Sequence, residues 1–351
     1  MTESVNIWKH ATAINLEAMN DPNDYVMEDP DLRAAANAAL ILGKPLLLTG
    51  EAGVGKSQFA SWLAKELQLG QPLKFVVKST TDARELFYQY DTLARFHEAQ
   101  VAHLEQLSER DRPEGHSHTS ATTTIDPRRY LTFNALGKAI LFSLGKPKAL
   151  EMGLVSEAMD RLMTDFPDEP RRSVVLVDEI DKAPRDVPND MLDEIEHLSF
   201  TIRELRNRTV AVNKDLRPVV VMTSNSERDL PKPFLRRCVF YNMKFPEDPA
   251  MLARIVEQRV GKRFHTPSTV PGQAIMLFGY LREHVGLRQK PGLAELLDFL
   301  ASVAEASAPL ASLKDLGHLQ ATVKATLLKD KHDQEQCDRD WPRWREQTLG
   351  T

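Results

Sequence analysis

Gly50-Glu51-Ala52-Gly53-Val54-Gly55-Lys56-Ser57 is the stretch that decides the fold. It meets the pattern G-x-x-x-x-G-K-S/T at every fixed position. Before it, Pro45-Leu46-Leu47-Leu48-Thr49 predicts a short buried strand. After it, Phe59, Leu63 and Leu67 recur at four-residue spacing and predict a helix. Strand, glycine loop and helix form the context in which this pattern binds phosphate. The glycines let the backbone curl so that successive N–H groups point inward at phosphate oxygens. The helix start adds its partial positive charge. Lys56 is expected to reach the β- and γ-phosphates, and the Ser57 hydroxyl to hold Mg²⁺. Glu51, Ala52, Val54 and Gln58 belong to the same expected nucleotide cradle.

The second strong signal is Ser173-Val174-Val175-Leu176-Val177-Asp178-Glu179. A run of apolar residues predicts a buried strand, with two carboxylates at its C-terminal end. Ligands of open α/β sheets bind at that edge. Asp178 is expected to hold Mg²⁺, and Glu179 to orient or deprotonate the attacking water. Pro218–Asn225 predicts another buried strand with a polar end, where Asn225 is placed to align the water or sense the γ-phosphate. Pro231–Cys238 follows, with Arg236 and Arg237 ahead of the strand Val239-Phe240-Tyr241. An arginine at this place that does not fold back on its own site reaches a neighbour's nucleotide.

The 351 residues suffice for about two domains. Apolar content of 42% and charged content of 27% predict a sizeable core. A formal net charge of -5 gives no reason to expect nucleic acid as the main partner. Two cysteines, Cys238 and Cys337, make neither a disulfide framework nor a zinc cluster and fit a reducing, cytoplasmic setting. No apolar run approaches a membrane span, and no signal segment is expected.

Elsewhere the pattern predicts a helix from Asp29-Pro30 to Gly43, and a strand at 73–77. Further helices are predicted over 94–107, 133–143 and 149–163. His97 and His103 read as surface residues of the first of these. Residues 108–124 are polar and read as a flexible insert. His116 and His118 lie within it, without the further ligands a metal site needs. Asn189–Leu198 predicts a helix, and 200–212 a hairpin whose basic tip carries Arg203, Arg206 and Arg208. Beyond 249 the pattern is helical. It closes on a charged tail at 330–351 whose Trp341 and Trp344 suggest docking, on a neighbour or on the parent domain. Tyr25 and Val26 are candidates for packing on a nucleotide base.

Gly50–Ser57, Val174–Glu179, Asn225 and Arg237 come in the order and spacing of AAA+ ATPases. Within them the chain resembles the MoxR-type branch of the helix-2-insert clade. Three stretches carry this: the extra segment Thr81–Gln100, the hairpin at 200–212 before the Asn225 strand, and the wording from Asn225 to Arg237. The resemblance implies an α/β fold. A P-loop αβα sandwich with a parallel sheet over 30–248 (flexible insert about 105–128) would follow an N-terminal segment, 1–29. A small all-α lid would cover 249–328, and a charged tail 329–351. It implies ATP and Mg²⁺ as cofactors, and a homo-oligomeric ring, usually hexameric. Arg237 would be the finger given in trans, with Arg236 the alternative. Arg288 would be the lid's nucleotide sensor, with Lys290 the alternative. It implies remodelling or maturation of a protein partner, which in this family often carries a von Willebrand A domain.

Two other readings compete. One is a nucleic-acid motor or GTP-using restriction motor of the same clade, favoured by the basic hairpin tip and disfavoured by net charge. The other is a nucleotide-gated signalling or defence switch, disfavoured by the complete set of catalytic residue types.

Overall fold

The computed structural model describes residues 24–110, 126–156, 166–225, 228–264, 269–304 and 311–350. Most of the polar insert, with His116 and His118, lies outside the described residues, as do 157–163 of the helix expected at 149–163. Nine strands are assigned among the described residues: β1 Leu46–Thr49, β2 Leu73–Val76, β3 Tyr88–Tyr90, β4 Leu131–Phe133, β5 Val174–Asp178, β6 Ser199–Ile202, β7 Arg208–Ala211, β8 Val219–Ser224 and β9 Val239–Asn242. Five form one sheet in the order β2-β5-β8-β1-β9, and β3-β4 and β6-β7 are separate antiparallel pairs. β2 and β8 both pair parallel with β5. Every residue of β1, β5 and β8 is buried. Strands covered on both faces read as continuous Val/Leu runs, and that is what made them visible in sequence.

The chain folds as two compact units, one of Ala35–Leu47 with Leu63–Phe240, the other of residues up to Ala34, Leu48–Trp62 and Tyr241 onward. In the first unit, Val175, Val177, Val220 and Met222 of the sheet share a core with Leu136, Ile140 and Phe142 of helix Ala135–Leu144. Helix Thr92–Arg110 stands between β3 and β4 in the chain, and exposes Leu93, Phe96, His97 and His103. The expected helix at 189–198 is two short ones, Val187–Asp190 and Leu192–His197. A helix also starts earlier than expected, at Lys146, because Pro147 fits its first turn.

The second unit is helical after β9: Pro249–Val260, Val270–Glu283, Leu293–Ala304, Leu319–Thr326 and Lys331–Leu349. The unit also includes the phosphate-loop segment, and the charged tail contributes to its core. The tail is a helix with Asp333, Cys337, Trp341, Trp344 and Thr348 buried. Those positions recur every three or four residues and form one inward stripe, while the charged residues occupy the other face. Trp341 and Trp344 thus dock on the parent unit, against the cluster that holds Leu281, Leu296, Phe299 and Val323.

Candidate nucleotide-binding and hydrolysis site

The phosphate loop leaves β1 and enters helix Lys56–Glu66. Gly50, Gly53 and Gly55 have φ of 139°, 80° and 96°. An L side chain is strained at such angles. At Gly50 a Cβ would also meet the Met243 carbonyl oxygen at 2.3 Å. Met243 is held there because its N–H donates to the Thr49 carbonyl at 2.8 Å. The loop is therefore a backbone cradle that side chains would fill. This fits a phosphate group, whose oxygens are bound by N–H donors. Lys56 is buried, and its Nζ donates to the Gly50 and Glu51 carbonyls at 2.8 Å each. Ser57 follows it at the helix start, and Gln58 accepts a hydrogen bond from Arg259.

Helical residues of the same unit close on the loop. A Cβ on Gly292 would approach the Ala52 carbonyl oxygen to 2.9 Å, and one on Gly53 would approach Ala294 to 3.3 Å. Arg282 donates to Glu51 Oε2 at 3.0 Å and to the Pro291 carbonyl at 2.6 Å. Its guanidinium lies 3.7 Å from the Phe245 ring centre. Arg288 and Lys290 are exposed, and the Arg288 backbone N–H is bound by Asp333. Arg282, absent from the sequence reading, is thus a guanidinium of the helical region that touches the loop. Tyr25 sits beside Phe59 and Trp62, with ring centres 6.0 and 5.9 Å away. Burial raises its pKa, with nearby Asp29 adding to the effect.

In the other unit, Asp178 closes β5 and is buried. Its Oδ2 pairs with Lys74 Nζ at 2.8 Å, and its Oδ1 accepts from the Thr223 hydroxyl at 2.7 Å. Glu179 adopts the left-handed conformation, φ 62° and ψ 50°. Its Oε2 pairs with Lys182 Nζ at 2.7 Å, and its Oε1 accepts from Asn225 Nδ2 at 3.4 Å. Asn225 directs its backbone N–H to Asp181 Oδ2 at 3.2 Å. Asp178, Glu179 and Asn225 are therefore brought together, as their places at two adjacent strand ends require. Arg236 and Arg237 are both exposed on helix Lys232–Arg237. Arg237 Nε donates to Glu196 Oε2 at 3.0 Å.

Sequence reasoning missed Lys182, Thr223 and Arg282. Lys182 was within reach of it, since a residue three positions after Glu179 in a helical turn lies beside it. Thr223 and Arg282 carry no local signal. Among the described residues no group of three or more His, Cys, Asp or Glu is arranged to hold a metal ion by itself. Nor is any helix of the described residues long and apolar enough to cross a membrane.

No curated protein matches the chain. The family model for the AAA domain, dynein-related subfamily, matches residues 45–238. That span runs from the residue before β1 to the residue after Arg237, and so takes in the glycine loop, both carboxylates, Asn225 and the arginine pair. With a glycine cradle after one buried strand, paired carboxylates after another and a model match across more than half its length, the chain belongs to the AAA ATPases of the dynein-related subfamily.

Proposed function

We propose that this protein is a MoxR-like AAA+ ATPase of the helix-2-insert clade, working as a hexameric ring that remodels or matures a partner protein. The observation that supports the branch is that two antiparallel strand pairs are inserted in the chain between strands of the main sheet. β3 and β4, spanning helix Thr92–Arg110, come between β2 and β5 in the chain; β6-β7 comes between β5 and β8. A partner protein with a von Willebrand A domain fits this reading by resemblance.

In this reading ATP binds with its phosphates on the loop amides of 50–57, and Lys56 exchanges its carbonyl partners for the β- and γ-phosphates. By resemblance, Ser57 and Asp178 would hold Mg²⁺, which would offset phosphate charge. Glu179 takes the proton of the attacking water, and Asn225 orients that water. The water oxygen bonds to the γ-phosphorus as the bond to the β,γ-bridging oxygen breaks, leaving ADP and phosphate. A neighbour's Arg237 stabilises the charge that develops, and Arg288 reports it to the lid. Positioning and electrostatics supply the catalysis.

The test is Glu179→Gln. It is expected to bind ATP with unchanged affinity and to lose turnover by roughly 100-fold or more, the usual contribution of a general base. Near-normal turnover would remove Glu179 from this role. Affinity capture with that variant and ATP identifies the remodelled partner.

A second reading, a nucleic-acid motor, draws on Arg203, Arg206 and Arg208, all exposed at the β6-β7 tip. DNA binding that falls steeply between low and moderate salt would favour it. Binding without salt dependence, or none, would not.

A further inference from the structure

We infer that Thr223 is the positioning residue that sets the Asp178 carboxylate and the Glu179 backbone of the hydrolysis site. The inference rests on the hydrolase reading above and deepens it.

β8 pairs with β5 in parallel register, Val177 opposite Met222. One residue further along, Asp178 comes beside Thr223. The Thr223 side chain is 1% exposed, so its hydroxyl has no access to water as an alternative partner. It donates to Asp178 Oδ1 at 2.7 Å and accepts the Glu179 backbone N–H at 2.9 Å. One hydroxyl thereby holds the carboxylate of one acidic residue and the backbone of the next. Because the hydroxyl proton is committed to Asp178, its lone pair is free to face the Glu179 amide. Neither bond is replaced by turning the side chain.

Glu179 supplies a second observation. It is a non-glycine residue in the left-handed region, φ 62°. Such a conformation persists only where the surroundings over-determine it. The N–H bond to Thr223 is a constraint on that backbone, and the strain ends where the chain must turn its carboxylate out of the strand. Lys182 and Asn225 then hold the carboxylate itself. Thr223 acts through Asp178 and Glu179. Outer partners that orient acidic groups in this way typically cost roughly 10–100-fold in activity when removed.

The experiment compares two pairs, the isosteric Thr223 with Thr223→Val, and Thr223→Ser with Thr223→Ala. Within each pair the hydroxyl is the main difference. The expected result is that turnover sorts with the hydroxyl: Thr and Ser active, Val and Ala lower in kcat by roughly 10–100-fold, with ATP Kd changed by less than about threefold. Amide hydrogen exchange across 175–182 in nucleotide-free protein is expected to quicken in Val and Ala alone, a readout that needs no catalysis. If Val does not fold, the Ser/Ala pair decides. Turnover that sorts with the γ-methyl, or is equal in all four, overturns the inference. Glu179→Gln in parallel separates the two levels. An unaltered chain without turnover overturns the hydrolase reading, and Glu179→Gln at full turnover removes Glu179 from its role in it. A Glu179→Gln loss without a hydroxyl effect overturns the Thr223 inference alone.

Discussion

Asp333, wholly buried on the last helix, accepts the backbone N–H of Arg288 at 2.9 Å, and that of Gln289 at 3.0 Å. A residue of the charged C-terminal stretch therefore shapes the turn before helix Leu293–Ala304. Asp333→Ala leaves two N–H groups without their acceptor. Hydrogen bonds to charged groups contribute about 1.5–3 kcal/mol each. Urea unfolding is expected to show a loss of about 2–4 kcal/mol, and a change below about 0.5 kcal/mol would mean the turn is held otherwise.

The neighbouring core gives a second expectation. Trp344 is 2% exposed. Trp344→Ala should cost about 3–5 kcal/mol, the range for a buried tryptophan. Removing residues from 331 onward should expose the helical core and bring dye binding or aggregation. A truncated chain with unchanged Tm would show the last helix to be peripheral.

Glu51 and Arg282 separate two effects of different size. The Glu51 side chain is 58% exposed, and such ion pairs contribute about 0–1 kcal/mol. The guanidinium stacked 3.7 Å from the Phe245 centre is largely desolvated, where a cation–π contact contributes up to about 2 kcal/mol. Glu51→Gln is therefore expected to change stability by less than about 1 kcal/mol, and Arg282→Ala to cost more. Arg282→Lys should not restore the loss, because a point charge does not stack as a planar guanidinium does. Chemical denaturation of the three variants reads this; equal effects of Glu51→Gln and Arg282→Ala would contradict it.

Burial pushes the Cys337 thiol up to about 12, with Asp338 adding to it. The folded state thus favours the protonated thiol. That contribution to stability is fully present below the unfolded value near 9 and is lost as pH rises toward about 12. Cys238 behaves alike, raised to about 12 by burial against a partly opposing Lys44. At pH 8 both thiols should react slowly with a disulfide reagent in native protein and at the free-thiol rate in denaturant. Rapid native labelling of Cys337 would contradict its burial.

The Arg237–Glu196 pair is exposed on both sides, 48% and 57%. It holds Arg237 by about 0–1 kcal/mol, little enough to be exchanged for a phosphate. Under the proposed trans role, Arg237→Ala subunits should bind ATP without turnover. Mixing them with Glu179→Gln subunits should restore some turnover, since each supplies what the other lacks. No rescue at any ratio would argue against the trans assignment.

What was legible in the sequence was local or periodic. The loop at 50–57 announces itself because its glycines, lysine and serine are contiguous. β5 and β8 do so because strands buried on both faces become uninterrupted valine runs. The hairpin 199–211 shows a polar turn between alternating strands, and its Arg206 and Asn207 do take positive φ. The overall polarity of the charged tail hides a stripe of five buried residues on one helix face. Reading that stretch by period rather than by composition finds them.

Sequence alone determined the buried strands, the glycine cradle and the two acidic residues at a strand end, since each follows from neighbours in the chain; the αβα class came from resemblance. Only tertiary structure decided which groups hold them. Thr223 reaches Asp178 across 45 positions, Arg282 reaches Glu51 across 231, and Asp333 reaches Arg288 across 45. Those pairings depend on strand register and helix packing, which bring together residues that share no pattern along the chain.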